Sequence, residues 1–452
     1  MGAEIANGDA AVEVLNVCTD SREAKAGDVF FAITGETFDG HDFVAEVSAK
    51  KVAAMVLEKS KVPSLKSKMV NGVLLPVEDV RAALGKLAAA YRQEFSLPVI
   101  AVGGSNGKTT TKELIAAVLR QKFPALWSEA SFNNDIGVPA TLLRLEKTHS
   151  VAVLEAGTNH PGELAPLVKM IAPKFGVITG IGREHLEFFG DLDGVAQEEG
   201  TLAELLPADG KLFLNGDDAW SERIAARTKA KIVRVGVGEK NEWVAKKIRL
   251  DKNGVTFQVE SAQKDFSGEY RVNLLGQHQV TNAMLALAIG VELGLTRAEV
   301  SKGLAECQPA KMRMNYWEAN GVRVLDDCYN ANADSTLAAL ETLCGLPLQG
   351  RRVAVLGDMA ELGIHSAAAH AEIGRRAADL KVGQLFAVGK MAPVMAQAAR
   401  DAGLVRVFEF ADVEGAGKAV KNFLKMGDVV LLKASRSMRL ERIAETLRPG
   451  KS

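Results

Sequence analysis

The sequence predicts an α/β protein of three domains. A small N-terminal α/β domain is followed by a central parallel-sheet domain with a small antiparallel appendix, and then by a C-terminal Rossmann-like domain. Three observations predict this. Short apolar runs recur along most of the chain with amphipathic stretches between them, the pattern of parallel strands joined by crossover helices. Between Trp243 and Leu275 the period changes to alternation, with a Lys252-Asn253-Gly254 turn, which suggests antiparallel strands. After Ala310 a second series of five strand-like runs begins, enough for a doubly wound sheet of its own. The expected boundaries are 1–80, 81–309 and 310–452.

In the first segment, VFFAI (Val29 to Ile33), AAMVL (Ala53 to Leu57) and VLLPV (Val73 to Val77) read as strands. The polar stretch Cys18 to Val44 is either a plain surface loop system or a ligand platform. A helix is expected from about Asp79 to Phe95. The stretch Pro98 to Leu119, PVIAVGGSNGKTTTKELIAAVL, organises the second segment. Val99 to Val102 suit a central strand. Gly103, Gly104 and Gly107 permit a tight turn, and a helix starts near Lys108 with Leu114, Ile115, Val118 and Leu119 on one face. This is a P-loop context: backbone N–H groups of Gly104, Ser105, Asn106 and Gly107 at a helix start attract phosphate. Lys108 adds charge on the outer phosphates, Thr109 offers a hydroxyl to Mg²⁺, and Thr110 follows. The loop is shorter than the standard motif, with Val102 where the first glycine is expected. Further strands are expected at Val151 to Gly157, Phe175 to Ile181, Lys211 to Asp218 and Lys231 to Val237, and helices at Val280 to Leu293 and Arg297 to Glu306. The third segment offers VRVLDD, RRVAVLG, QLFAVG, VRVFEF and DVVLLKAS.

Composition narrows the function. The chain has 452 residues, 47% hydrophobic and 25% charged, with a formal net charge of −1. That charge draws in neither nucleic acid nor a membrane surface. No run of about 18 apolar residues is present, so no membrane insertion is expected. The segment MGAEIANGDA lacks the basic-then-apolar pattern of a leader. Cys18, Cys307, Cys328 and Cys344 form no CxxC pair and read as reduced thiols of a cytoplasmic protein. A monomer is expected.

Ligands bind open α/β sheets outside the carboxyl ends of the strands. Glu155 closes one strand and is followed by Asn159 and His160; His185 follows another. Glu155 and His185 suit either a Mg²⁺ site or, read singly, a core salt bridge and a loop residue. Asn133 and Asn134, in FNNDIGVP, offer neutral donors to phosphate or substrate, or simply open a helix. His278 and Asn282, in GQHQVTN, would touch a nucleobase or cap a helix. LDDCYNANADS puts Asp326, Asp327, Asn330 and Asn332 after a strand, and LGDMAELG and LLKASR mark the rim of the third sheet.

Together these stretches resemble the Mur ligases, ATP-dependent amide-bond-forming enzymes of peptidoglycan precursor synthesis. The stretches that carry the resemblance are TDSR, GDVFFAITGETFDGHDF, GSNGKTT, NNDIGVP, EAGTNHPGE, HLEFFG, the GQH…N segment, DDCYNANADS, GDMAELG and KASRS, in that order. The Asp-Asn-Pro-Arg motif of the ligase that adds the third peptide residue is absent. Folylpolyglutamate synthetase lacks a TDSR-type first domain. The resemblance therefore implies the branch that joins D-Ala-D-Ala to UDP-MurNAc-tripeptide, with ATP and Mg²⁺. It implies that Ser21 and Arg22 hold the UDP end and that Lys108 holds phosphates. It places Mg²⁺ on Thr109, Glu155 and His185, with Asn133, Asn134 and His160 near substrate and phosphates. Asn282, Arg313 and Asp327 would contact the adenosine side; Asn330, Lys433 and Arg436 would help hold D-Ala-D-Ala. Four departures stand out. The position of the family's carbamylated lysine carries Glu199, the His-Asn of the adenine segment is His278-Gln279, the glycine of Lys-Gly-Ser-Arg is Ala434, and the first domain starts short. Loss of Lys108, Thr109 or Glu155 would have favoured a non-catalytic binding module; all three are present.

Overall fold

The apolar runs form strands in three separate sheets. The computed structural model describes residues 5–6, 9, 11–35, 37–347 and 349–448. The N-terminal decapeptide read above for a leader lies largely outside them. The chain divides into two compact units. One comprises Met1–Leu97, Phe132–Thr148 and Lys169–Ala172; the other comprises Pro98–Ser131, His149–Val168 and Pro173–Ser452.

In the first unit, β1 (Val17–Cys18), β2 (Val29–Phe31), β3 (Ala54–Glu58) and β4 (Val73–Val77) pair in parallel in that order. The helix Val80–Gln93, capped by the Asp79 carboxylate on the Ala82 N–H, lays Val80, Ala83 and Leu84 on one face of this sheet. The other face is covered by Val44, Val47 and Leu65. The stretch Cys18 to Val44 is more ordered than a plain loop: it contains β2, a 3₁₀ turn at Gly40–Phe43, and the buried polar residues Ser21, Asp28 and His41.

The second unit holds two sheets. The larger is built from β5 (Val99–Gly103), β6 (Ala125–Trp127), β7 (Val151–Glu155), β8 (Phe175–Ile178), β9 (Lys211–Asn215), β10 (Lys231–Gly236), β11 (Trp243–Asp251), β12 (Gly254–Ser261) and β13 (Gly268–Val272). Their order is β13-β12-β11-β10-β9-β8-β5-β7-β6. Strands β5 to β11 run parallel, while β11–β12 and β12–β13 are antiparallel, as the alternation predicts. Every residue of β5, β7 and β8 is buried, because helices cover both faces of a parallel sheet. The helix Lys108–Leu119 packs Leu114, Ile115, Val118 and Leu119 into that core. The nearly all-apolar helix Gln279–Glu292 packs beside it. Each such side chain, fully buried, contributes roughly 1.5–3 kcal/mol.

The smaller sheet has β14 (Asn315–Ala319), β15 (Val322–Asp326), β16 (Arg352–Gly357), β17 (Gln384–Val388), β18 (Val407–Phe410) and β19 (Val429–Lys433), in the order β14-β15-β19-β16-β17-β18. Only β14 is antiparallel. Three strands, β1, β6 and β14, are absent from the sequence reading. They sit at sheet edges, run two to five residues and are only partly buried, so they leave little periodic signal. The run VRVFEF starts two residues late, at Val407, because Val405 is fully solvated. Among the described residues no helix is long and apolar enough to cross a membrane.

Candidate phosphate site and the residues around it

The switch point of the larger sheet lies at β5. From it the chain runs outward to β6 and β7 on one side and to β8 and β9 on the other, leaving a crevice at its carboxyl end. The loop Gly104–Gly107 occupies this crevice and feeds the helix that starts at Lys108. Gly107 has φ +83°, and a Cβ there would stand 2.7 Å from Asn282 Oδ1. Both facts reserve the position for glycine. Ser105 ties the loop to β8: its N–H donates to the Gly180 carbonyl at 2.8 Å, and its Oγ accepts from the Gly182 N–H at 2.8 Å.

Parallel register brings the acids in. Val102 pairs with Glu155 across β5 and β7, so the carboxylate ends its strand beside the loop. Glu155 is 1% exposed, and its N–H donates to Ser128 Oγ at 3.1 Å. The Thr109 Oγ1 lies 3.3 Å from Ser131 Oγ. Glu199, on the helix Leu192–Glu199, is also 1% exposed. Its Oε2 accepts from the Gly104 N–H at 2.6 Å, and Oε1 has no hydrogen-bond partner in the structure. The approach needs a bare Cα at Gly103, where a Cβ would meet Glu199 Oε2 at 2.9 Å. Glu199 is therefore part of the cradle and not a solvent-facing helix carboxylate.

Lys108 donates to the Ser105 carbonyl at 3.4 Å and to Glu184 Oε2 at 3.3 Å. Burial opposes its charge, but Glu184, Glu199 and Glu155 together outweigh burial and hold its pKa above the ordinary lysine value. Burial pushes Glu199 up to about 7, against the pull of Lys108, and it raises Glu184 as well. Glu184 is a site residue that the sequence reading missed. Its only local signal was its place directly before His185. Glu198, next to Glu199, was also missed: it accepts from Gly162 N–H and Leu164 N–H, both at 2.8 Å, and pins the loop carrying His160. His160 itself is half exposed, paired with Glu163 at 2.9 Å, with its ring tilted against that of Phe188. His185 sits in the left-handed region, φ 49°, with Nδ1 donating to Glu361.

The third-segment residues gather at the ends of β15 and β19. Asp326 registers with Leu432, so the next residues, Asp327 and Lys433, stand side by side. Lys433 Nζ donates to Asp327 Oδ2 at 2.6 Å and to the Asn330 carbonyl at 2.9 Å. Asp327 Oδ1 accepts from the Met314 N–H. The Arg313 guanidinium lies 4.1 Å over Tyr329, and Arg436 pairs with Glu441 at 3.0 Å. Asn282 lies against the phosphate loop, accepting from Thr111 Oγ1 at 3.1 Å and donating to Gln279 at 2.9 Å. Thr110 is half-buried on the helix.

Among the contacts that join the two sheets of this unit, three involve candidate site residues or their immediate neighbours. Asn332 Nδ2 donates to Asn106 Oδ1 in the phosphate loop at 2.9 Å. Arg183 donates its N–H (2.7 Å), Nε (2.8 Å) and Nη2 (2.6 Å) to Asp334, and Nη1 (2.5 Å) to Glu372. The third is His185 to Glu361. The first unit holds the remaining candidates. Ser21 is buried and its carbonyl accepts from Lys50 Nζ at 2.7 Å, whereas Arg22 is solvated and clasps Asp20. Asn133 is half-buried, and Asn134 Oδ1 accepts from the Gly137 N–H at 2.9 Å, opening the helix Gly137–Leu142.

The donor set near the loop is oxygen-rich, and the buried unpartnered Oε1 of Glu199 is ready for a cation; both fit a hard ion such as Mg²⁺. Among the described residues no three acidic, histidine or cysteine side chains already converge on one point. That suits an ion which keeps waters and shares substrate phosphates.

Three family descriptions match in series: Mur ligase family, catalytic domain, over 13–92; Mur ligase middle domain over 102–290; and Mur ligase, glutamate ligase domain, over 312–436. The chain belongs to the Mur ligase family. The UDP-N-acetylmuramoyl-tripeptide–D-alanyl-D-alanine ligase of Bacillus subtilis (strain 168) is 34% identical over 434 residues, 95% of this chain and 92% of that one. The enzyme of that name from Escherichia coli (strain K12) is 34% identical over 455 residues, 98% and 96% of the two chains. A crystal structure of MurF from Acinetobacter baumannii superposes with a TM-score of 0.86 at 34% identity, covering 96% of this chain and 93% of that one. MurF ligase from Thermotoga maritima in complex with ADP gives 0.83 at 28%, covering 96% of each. The three-domain α/β architecture expected from the sequence is that of this Mur ligase.

Proposed function

We propose that this Mur ligase joins D-alanyl-D-alanine to UDP-N-acetylmuramoyl-tripeptide at the expense of ATP, giving the UDP-linked pentapeptide, ADP and phosphate. The observation that carries the proposal is the cradle itself: a phosphate loop at the sheet's switch point, with Lys108 and Thr109 at its helix start and Glu155 at the end of the neighbouring strand. The full-length likeness to ligases of that name supports the choice of substrates.

In this reading a carboxylate oxygen of the tripeptide attacks the γ-phosphorus of ATP and ADP departs. The amine of D-Ala-D-Ala then attacks the acyl carbon, phosphate leaves, and the amine gives up a proton. Loop N–H groups and Lys108 hold the phosphates in line and meet the negative charge that spreads over them. Thr109, Glu155 and His185 would hold Mg²⁺, which when bound neutralises phosphate charge. Asn282, Arg313 and Asp327 hold the adenosine side, and Lys433, Asn330 and Arg436 the dipeptide. Ser21 and Arg22 hold the UDP end, with Asn133, Asn134 and His160 serving substrate. Arg183 and Asn332 keep the third sheet against the phosphate loop, excluding water from the acyl phosphate. Domain limits at 80/81 and 309/310, a cytoplasmic location and a monomeric state complete the proposal.

Phosphate release by purified protein with ATP, Mg²⁺, UDP-MurNAc-tripeptide and a panel of amines tests it. Release stimulated by D-Ala-D-Ala above every other amine is expected; equal release with single amino acids would overturn the assignment of the amine.

A further inference from the structure

One turn beyond Lys108, on the same helix face, stands a second lysine with no share in the reaction described above. Lys112 is completely buried, among the largest fully enclosed side chains of the protein. Its ammonium donates to the Ser128 carbonyl at 2.6 Å and to the Ala130 carbonyl at 2.8 Å, and it pairs with Glu113 at 2.6 Å. Three donors thus meet three acceptors. Burying an ammonium costs more than burying the leucine or isoleucine that the next positions, Leu114 and Ile115, supply. Packing alone does not account for it.

The two carbonyls identify its target. They belong to the segment that leaves β6, in which Ala130 is held at φ 44°, a conformation that residues with a Cβ seldom adopt. Both ends of this segment reach the phosphate site. Ser128 Oγ accepts from the backbone N–H of Glu155 at 3.1 Å, and Ser131 Oγ lies 3.3 Å from Thr109 Oγ1. The ammonium is the common anchor of a turn whose two serines touch the Thr109 hydroxyl and the backbone N–H of Glu155.

We propose that Lys112 is a positioning residue of the phosphate site: by clamping Ser128 to Ser131 it fixes the Thr109 hydroxyl and the end of the strand that bears Glu155. The inference rests on the reading of that site as one for a Mg²⁺-bound nucleotide. Replacing the ammonium by an uncharged chain of similar length frees the turn from its strained conformation. Ser131 then leaves Thr109, and cation binding weakens while the dipeptide end of the reaction is untouched.

The test is equilibrium binding of ADP to the full chain as Mg²⁺ is varied, alongside steady-state kinetics, for wild type, Lys112→Met, Ser131→Ala and Lys108→Ala. Loss of about one net hydrogen bond at the cation predicts a rise of about five-fold in the Mg²⁺ concentration required for Lys112→Met. A smaller rise is expected for Ser131→Ala, with its thermal midpoint unchanged. KM for D-Ala-D-Ala should stay within about two-fold. A Lys112→Met protein that melts earlier yet needs no more Mg²⁺ would make the lysine merely structural and overturn the proposal. If Lys112→Met does not fold, an unchanged Mg²⁺ requirement in Ser131→Ala overturns it equally. A wild type that binds Mg²⁺–ADP but forms no amide would sink the ligase reading and leave the binding shift to decide this one. A wild type that binds no nucleotide, like Lys108→Ala, overturns both.

Discussion

Glutamine at position 199 should stabilise the protein at alkaline pH, and the size of the gain follows from the cradle. Glu199 is enclosed by β5, the phosphate loop and its own helix, with one carboxylate oxygen on the Gly104 N–H and the other unpartnered. Burial and the nearby Glu184 and Glu198 oppose its ionisation more than Lys108 and the Gly104 N–H favour it, and its pKa rises from 4.5 to about 7. In the unfolded chain the group ionises near its ordinary value. Below about pH 4.5 both states are protonated and nothing is lost. Between about 4.5 and 7 the unfolded chain releases the proton first, so stability falls as pH rises. Above about 7 the folded state carries the whole cost, about 3 kcal/mol for a shift of this size. Glu199→Gln keeps an acceptor for the Gly104 N–H and removes the charge. Urea unfolding of the metal-free protein in chelator should therefore show the variant more stable than wild type at pH 8, by up to about 3 kcal/mol, with the gain fading toward pH 4.5. A variant no more stable than wild type at pH 8 would refute the argument, because it would mean that the cradle welcomes the charge. Because a glutamate side chain needs no carbon dioxide to supply a carboxylate, turnover should also be indifferent to bicarbonate depletion; strong activation by added bicarbonate would count against Glu199 as the replacement for a carbamylated lysine.

Lys108→Ala should lose at least ~2.7 kcal/mol of transition-state stabilisation, about 100-fold in rate, and a folded variant with near-normal turnover would sink the phosphate site. Arg183→Ala removes charge-assisted bonds to Asp334 and Glu372; with the three side chains 28% to 39% exposed, screening reduces their worth to about 1 kcal/mol. Small-angle scattering should show a more expanded ligand-free protein than wild type, compacting with an ATP analogue and substrate; superimposable profiles in all four samples would remove the clasp from the mechanism. His370 is buried, accepts from the Met359 N–H at 2.9 Å and donates to the Ser366 carbonyl, and burial holds its pKa below 6.5. Its contribution is complete above pH 6.5 and is lost as pH falls, because the unfolded chain takes up the proton first. His370→Gln should flatten the acid side of the stability profile, and an unchanged slope between pH 6.5 and 5.5 would show that the ring is not responsible.

The sequence by itself determined the long strands, the helix that starts at Lys108 and the acids and amides at strand ends. Each of these is a local pattern: a run of apolar residues, a 3.6-residue stripe, a glycine turn. Val151 to Glu155 needed no partner to be read as a strand ending in a carboxylate, and Lys108 needed none to be read as a phosphate ligand. Edge strands as short as Val17–Cys18 carry too little period to announce themselves. Tertiary structure decided which of these residues meet. Glu199 reaches Gly104 across 95 positions and Glu184 reaches Lys108 across 76, because the order β8-β5-β7 sets the loops after β5 and β8 against each other. The same order enclosed Glu199 and displaced its pKa, and made Lys112 an anchor for a turn that starts sixteen residues later. Periodicity assigns a side chain to a face, but it is the pairing of strands distant in sequence that chooses the atoms on the other side.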